Sequence, residues 1–310
     1  MDILNLINDI QAADPEFADR ISPRRAAIKN ITSFGSKVAV AALPFAFGTL
    51  LKKAYGQGAT PTVAQVLNFA LTAELTEACF YNTAIARADA GLLSIPGTDL
   101  PSFRLIQADE NNHVNFLKTV LTTAGVSASN AARTTTPIPV TSGNANTYFD
   151  FSGGAASATT VNAGPFATVF TNYDIFLAVS QAFEDTGVRA YKGQAGFLKG
   201  NQVVLTAALN IHSVEARHAS YLRRLRALRS TSGAPANFRP WVTGDGTTAS
   251  GISAAPGAVN PIYAGEANVT QGGVPIGGIV NPKAAQEAFD EPLTSADVVN
   301  NILVNFLRTA

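Results

Sequence analysis

Between Thr60 and Leu228 apolar residues return at three- and four-residue steps in four long stretches, the period of a helix with one buried face. The first opens at Thr60-Pro61, a capping residue followed by a proline suited to the first helical position. It runs through VAQVLNFALTAELTEACFYNTAIARADA and stops at Gly91. The second is predicted over about 101–124 with Gly125 as its stop. The third covers about 173–198 before Gly200, and the fourth about 202–228 ahead of the turn-rich STSGAP. The connections are short except one. Residues 126–166 are rich in Ser, Thr, Ala, Asn and Gly and long enough to run the length of a bundle, with TYFDF (147–151) as a short extended piece. Short links make antiparallel neighbours, and one long crossover between helices two and three completes an all-α, up-down four-helix bundle.

The flanks lack this period. Residues 230–293 are Gly- and Pro-rich and are expected to lie over the bundle irregularly, with PWV and PIYAG supplying buriable aromatics. A last helix is predicted from Ser295 to Arg308, with Thr294 as N-cap and Asp297 three residues on. At the other end, Arg24-Arg25 with Ile28 and Lys29 precedes an apolar run from Val38 to Leu51, and Gly56 and Gly58 follow. This pattern resembles a twin-arginine export signal, and the expectation is export to the periplasm or cell envelope. The run is too short to span a bilayer easily. The alternatives are an apolar helix packed on the protein or a partner, and a cytoplasmic location. The chain thus divides into an N-terminal segment (1–58), the bundle (59–229) and an extension with a final helix (230–310).

Composition narrows the function classes. Of the 310 residues, 46% are hydrophobic and 14% charged, with a formal net charge of zero, so no basic patch points to nucleic acid. The single cysteine, Cys79, forms no intramolecular disulfide and reads as a small core residue. There are only three histidines, so their positions carry information.

Two of the three fall in the same motif. The second helix carries Glu110-Asn-Asn-His113 and the fourth Glu215-Ala-Arg-His218. Residues three apart share a helix face, so each Glu and His point at one spot. The first helix contributes Glu74 and the third Glu184, which completes the carboxylate-histidine set of a dinuclear bundle site. Such ligands suit Fe or Mn. The halves repeat: Tyr81 follows Glu74 by seven residues and Tyr191 follows Glu184 by seven, two helical turns along one face. From Thr60 to Leu228 the only glutamates are Glu74, Glu77, Glu110, Glu184 and Glu215, so a single one falls outside the motif. Four carboxylates would balance two divalent ions, whereas unpaired they would be costly to bury.

Tyr81 and Tyr191 are expected to hydrogen-bond site carboxylates and serve the chemistry, with plain core packing as the alternative. Glu77, whose counterpart in the repeat is Gly187, reads as a neighbour of the site or an optional ligand. His212 reads as a neighbour or a surface residue. The arginines 217, 223, 224, 226 and 229 cluster where positive charge suits the end of a helix.

The segments LNFALTAELTEACFY, FEDTGVRAYKG and VEARHASYLR resemble the ferritin-like domain family that includes the desiccation-related proteins, and YAGEANVTQGG and AFDEPLTSADV resemble its C-terminal region. The similarity covers about 60–310. It implies the ferritin-like fold and metal positions at Glu74, Glu110, His113, Glu184, Glu215 and His218. Ferritin-like relatives include ferroxidases, oxygen-activating oxidases and manganese catalases, and fold alone does not choose among them. The expectation is two divalent ions, Fe or Mn, acting on O₂, H₂O₂ or ferrous iron. The rival is a structural or stress-protection module with a non-catalytic or absent metal site. A homo-oligomer is left open.

Overall fold

In the computed structural model, residues 60–128, 133–155, 161–229, 241–242, 260–271 and 273–308 are described. The export-like segment lies outside them. Four long helices form the bundle: α1 (Val63–Asp89), α2 (Leu100–Thr123), α3 (Tyr173–Ala195) and α4 (Gln202–Arg229). α1 packs chiefly on α2 and α3 on α4, two hairpins joined by the long crossover. Among the described residues no helix is long and apolar enough to cross a membrane.

Local chemistry sets the ends. α1 begins two residues later than Thr60-Pro61 suggests. The Thr62 hydroxyl accepts from the Gln65 amide while the Gln65 side chain accepts from the Thr62 amide. That reciprocal box satisfies two amides that the proline arrangement would leave open. α1 and α2 both end as expected, at Gly91 (φ 72°) and Gly125 (φ 65°). In both the next amide reaches back to the carbonyl five residues earlier, Leu92 to Arg87 and Val126 to Leu121, a closure that needs the left-handed residue glycine supplies. α3 tightens into a 3-10 turn at Gly196–Leu198.

The core is aromatic. Phe80 sits at its centre with ring centroids 5.1 Å from Phe183, 5.3 Å from Phe151 and 5.4 Å from Phe176. Phe151 belongs to the crossover, so that polar stretch is part of the fold. Buried Arg87 donates to the carbonyls of Ile138, Pro139 and Gly143 and ties it to α1. The extended piece expected at 147–151 is present as isolated bridges, Ala145 with Asp150 and Phe149 with Leu307.

The C-terminal extension holds more order than its sequence suggests: a small antiparallel hairpin, β1 (Thr270–Gln271) with β2 (Val274–Pro275), and a short helix α5 (Pro282–Glu287). The predicted last helix is wound in three ways. One α turn, α6 (Ser295–Asp297), passes into a π turn at Val298–Ile302 and a 3-10 turn at Leu303–Asn305. The Thr294–Asp297 capping box is present. Tyr263, Leu293, Val298 and Ile302 then pack against Ala73, Ala182 and Ala190 of α1 and α3. The small residues let the backbones approach. A Cβ on Gly193 would lie 1.9 Å from the Leu293 carbonyl oxygen.

Arginines bind the extension down. Buried Arg189 donates to the carbonyls of Ile262, Ala264 and Glu291 and pairs with Glu266 at 2.8 Å. The arginine cluster of α4 is only partly a helix-end feature. Arg223 turns inward to Asp185, which also accepts from the Tyr263 hydroxyl, and Arg226 donates to Gln181.

Candidate metal centre

The six motif residues meet inside the bundle. Glu74 comes from α1, Glu110 and His113 from α2, Glu184 from α3, and Glu215 and His218 from α4, all of them buried. Their ligand atoms form two overlapping groups, each within 4.8 Å: Glu74, Glu110, His113 and Glu215, and Glu110, Glu184, Glu215 and His218. Glu110 and Glu215 belong to both, while Glu74 and Glu184 belong to one each.

The geometry is that of convergence on a point. Nδ1 of His113 lies 3.2 Å from Glu74, 3.1 Å from Glu110 and 3.3 Å from Glu215. One ring N–H cannot serve three acceptors well. Nδ1 of His218 lies 3.0 Å from Glu110 and 3.1 Å from Glu184. Its Nε2 faces Asp109 at 3.2 Å, so a proton on Nε2 leaves Nδ1 free to face the cluster. The sequence motif does not include Asp109. Its position next to Glu110 was the available signal.

The tyrosines cross over. Tyr81 of α1 donates to Oε1 of Glu184 on α3, and Tyr191 of α3 donates to Oε1 of Glu74 on α1, both at 2.5 Å. Spacing alone puts each on the face of its own helix's glutamate. The bundle turns that face toward the glutamate of the other half. Cys79 is a fully buried core residue. His212 stands apart from both ligand groups.

Electrostatics show what the cluster lacks. Both oxygens of Glu215 and Oε1 of Glu110 are buried without a hydrogen bond; the nearby ring nitrogens stand outside hydrogen-bond geometry. An unmet buried acceptor costs about 1–3 kcal/mol, more when charged. Burial and the charge of Glu184 push Glu110 up to about 7. Burial, then Glu110 and Glu74, hold Glu215 well above the ordinary carboxylate range. Burial works the same way on Glu74, but adjacent His113 outweighs it and holds Glu74 low. Burial would lower both histidines. Glu74 instead raises His113, and Glu184 raises His218 to about 12. Glu77, also buried, is pushed far up by burial and then by Glu215 and Glu74. The interior thus holds more carboxyl groups than its two histidines can neutralise, and the surplus resists ionisation. Oxygen and imidazole donors with orphaned carboxylate oxygens fit a hard or borderline divalent cation.

Fold and site together define a helical bundle whose centre carries one glutamate from each of two helices and a Glu-x-x-His pair from each of the other two. Residues 62–228, more than half of the chain, match the family model described as ferritin-like domain, and the protein belongs to that family. No curated protein and no solved structure matches this chain.

Proposed function

We propose that the chain binds two divalent ions, Fe or Mn, and uses them for redox chemistry on O₂, H₂O₂ or ferrous iron. The observation that carries this reading is the pair of ligand groups sharing Glu110 and Glu215. Glu110 and Glu215 would be available to both ions, while Glu74 with His113 and Glu184 with His218 would each serve one. Bound there, two such ions would supply a pair of electrons, one each, enough to reduce H₂O₂ with two protons to two waters. The chain's own part is to hold and exclude. The bundle buries all four glutamates fully, which keeps bulk water from the ligand oxygens. Tyr191 and Tyr81 donate hydrogen bonds to Oε1 of Glu74 and Glu184, which leaves Oε2 of each carboxylate turned to its histidine. Asp109 sets the tautomer of His218.

The test is metal content of purified protein, followed by ferrous oxidation and peroxide loss. Both activities should disappear in Glu184→Ala, and Glu215→Ala should lose metal. A fully metallated protein inert to both oxidants would favour the rival, a structural or stress-protection module. The clasped extension favours that rival, since catalysis does not require it. The Arg24-Arg25 segment supports export to the periplasm or envelope by a route that carries folded, metal-loaded proteins. Arg24→Lys with Arg25→Lys should retain the protein in the cytoplasm, and unchanged fractionation would refute export by that signal.

A further inference from the structure

A narrow crevice lies among the four bundle helices and reaches inward to two residues that touch the cluster. Exposed Phe116 and half-buried Phe69 mark its outer end, and Ala73, Ala208 and Ile211 line its course. Its inner end is Tyr191 and Gly187. Tyr191 is the residue that donates to Glu74. Gly187 faces Glu215 directly: a Cβ there would lie 2.6 Å from Oε2, one of the carboxylate oxygens without a partner. The absent side chain makes room for the Glu215 carboxylate, so Gly187 is a wall common to the crevice and to a candidate ligand. The opposite half of the site differs. The position equivalent to Gly187 in the repeat is Glu77, a buried carboxylate.

Size and lining restrict what can use this path. The cavity volume is about 20 Å³, against the roughly 10–15 Å³ that one water-sized molecule needs. An acyl chain or an aromatic ring does not fit. The walls expose only carbon. A hydrated cation would have to shed its water with nothing in exchange. Hydrogen peroxide, with two donors and acceptors, would meet the same penalty in smaller measure. A small apolar molecule pays none.

We propose that this crevice is the route by which dioxygen reaches the centre, on the side of Gly187 and Tyr191. The inference rests on the redox reading above and names its oxidant. The probe for the route itself is xenon, an apolar atom of similar size, applied under pressure to crystals of the full chain. Xenon should occupy the crevice in the wild type and be excluded in Ala208→Phe. In iron-loaded protein the same substitution should slow oxidation by O₂ by about tenfold or more while changing oxidation by H₂O₂ less than about twofold. Should Ala208→Phe fail to fold, the smaller Ala208→Val should give a graded version of both effects. Xenon binding in a metal-loaded protein that ignores O₂ would overturn the redox reading and dioxygen with it. Oxidation by O₂ with no xenon in the crevice, or at an unchanged rate in a blocked variant, would overturn the route and leave the redox reading standing. Equal slowing with both oxidants would overturn the selectivity for dioxygen.

Discussion

At the scale of the residue, the site depends on hydrogen bonds that cross between the halves. The Tyr191 hydroxyl is a donor to Glu74, whose carboxylate has no bulk water to replace it. Tyr191→Phe removes that donor and leaves a buried acceptor. The metal-free protein should lose about 1–3 kcal/mol of stability, read as a lower midpoint in urea. Metal affinity should fall by roughly 10–100-fold, as for other groups that orient a ligand. A variant with unchanged affinity would reduce Tyr191 to core packing. The six motif positions and both tyrosines were readable from spacing alone, because a helix converts a separation of three or seven into a shared face. Asp109 was not. Asp109 falls outside that spacing, and its contact with His218 depends on how α2 packs beside α4.

At the scale of the element, the four bundle helices follow their periodicity, and the departures have local causes. Thr62 and Gln65 displace the expected start of α1 because a reciprocal box satisfies two amides at once. The last helix changes its winding along its length, α to π to 3-10, and the isolated bridge between Phe149 and Leu307 ties its end to the crossover. The contact of α3 with the extension gives a sharp expectation. Glycine in a helix interior is disfavoured by about 1 kcal/mol relative to alanine, so Gly193→Ala should help α3 in isolation. In the protein the new Cβ would meet the Leu293 carbonyl at 1.9 Å. Overpacking of this kind costs about 1–3 kcal/mol, so a net loss of stability is expected. Limited proteolysis should then cut the extension faster than in the wild type. A more stable Gly193→Ala would show that α3 does not need this close approach.

At the scale of the molecule, protons and metal compete for one interior. In the metal-free protein Glu110 titrates at about 7, and Glu77 and Glu215 are raised as well. A raised carboxyl keeps a proton in the folded state that the unfolded chain has released at about pH 4.3. Stability from these groups is therefore lost as pH rises through their folded values. His218 acts in the same direction: its contribution is complete below about 6.5, the ordinary histidine value, and is lost as pH rises toward about 12. Glu74, held low, acts oppositely and loses its contribution only as pH falls through its folded value. Chelator-treated protein should thus melt at a higher temperature near pH 5.5 than near pH 8. Metal needs deprotonated ligands, so its stabilisation should grow with pH. At a hundredfold excess over Kd it amounts to about 2.7 kcal/mol. Calorimetry at both pH values checks this, and a metal-induced shift of the same size at each would count against a proton-linked site.

The sequence by itself determined the bundle, its order of helices, its one long crossover and the residues that could share a site, since helical period and ligand spacing are local properties of the chain. Tertiary structure decided the rest. The pairing of each tyrosine with the opposite glutamate depends on how two hairpins face each other. So does the placing of Gly187 against Glu215. The clasp of Arg189 on the extension joins residues more than seventy positions apart, and its partners lie in chain with no period to read. Contacts of that kind are set by which surfaces can exclude water together, and that is a property of the assembled fold.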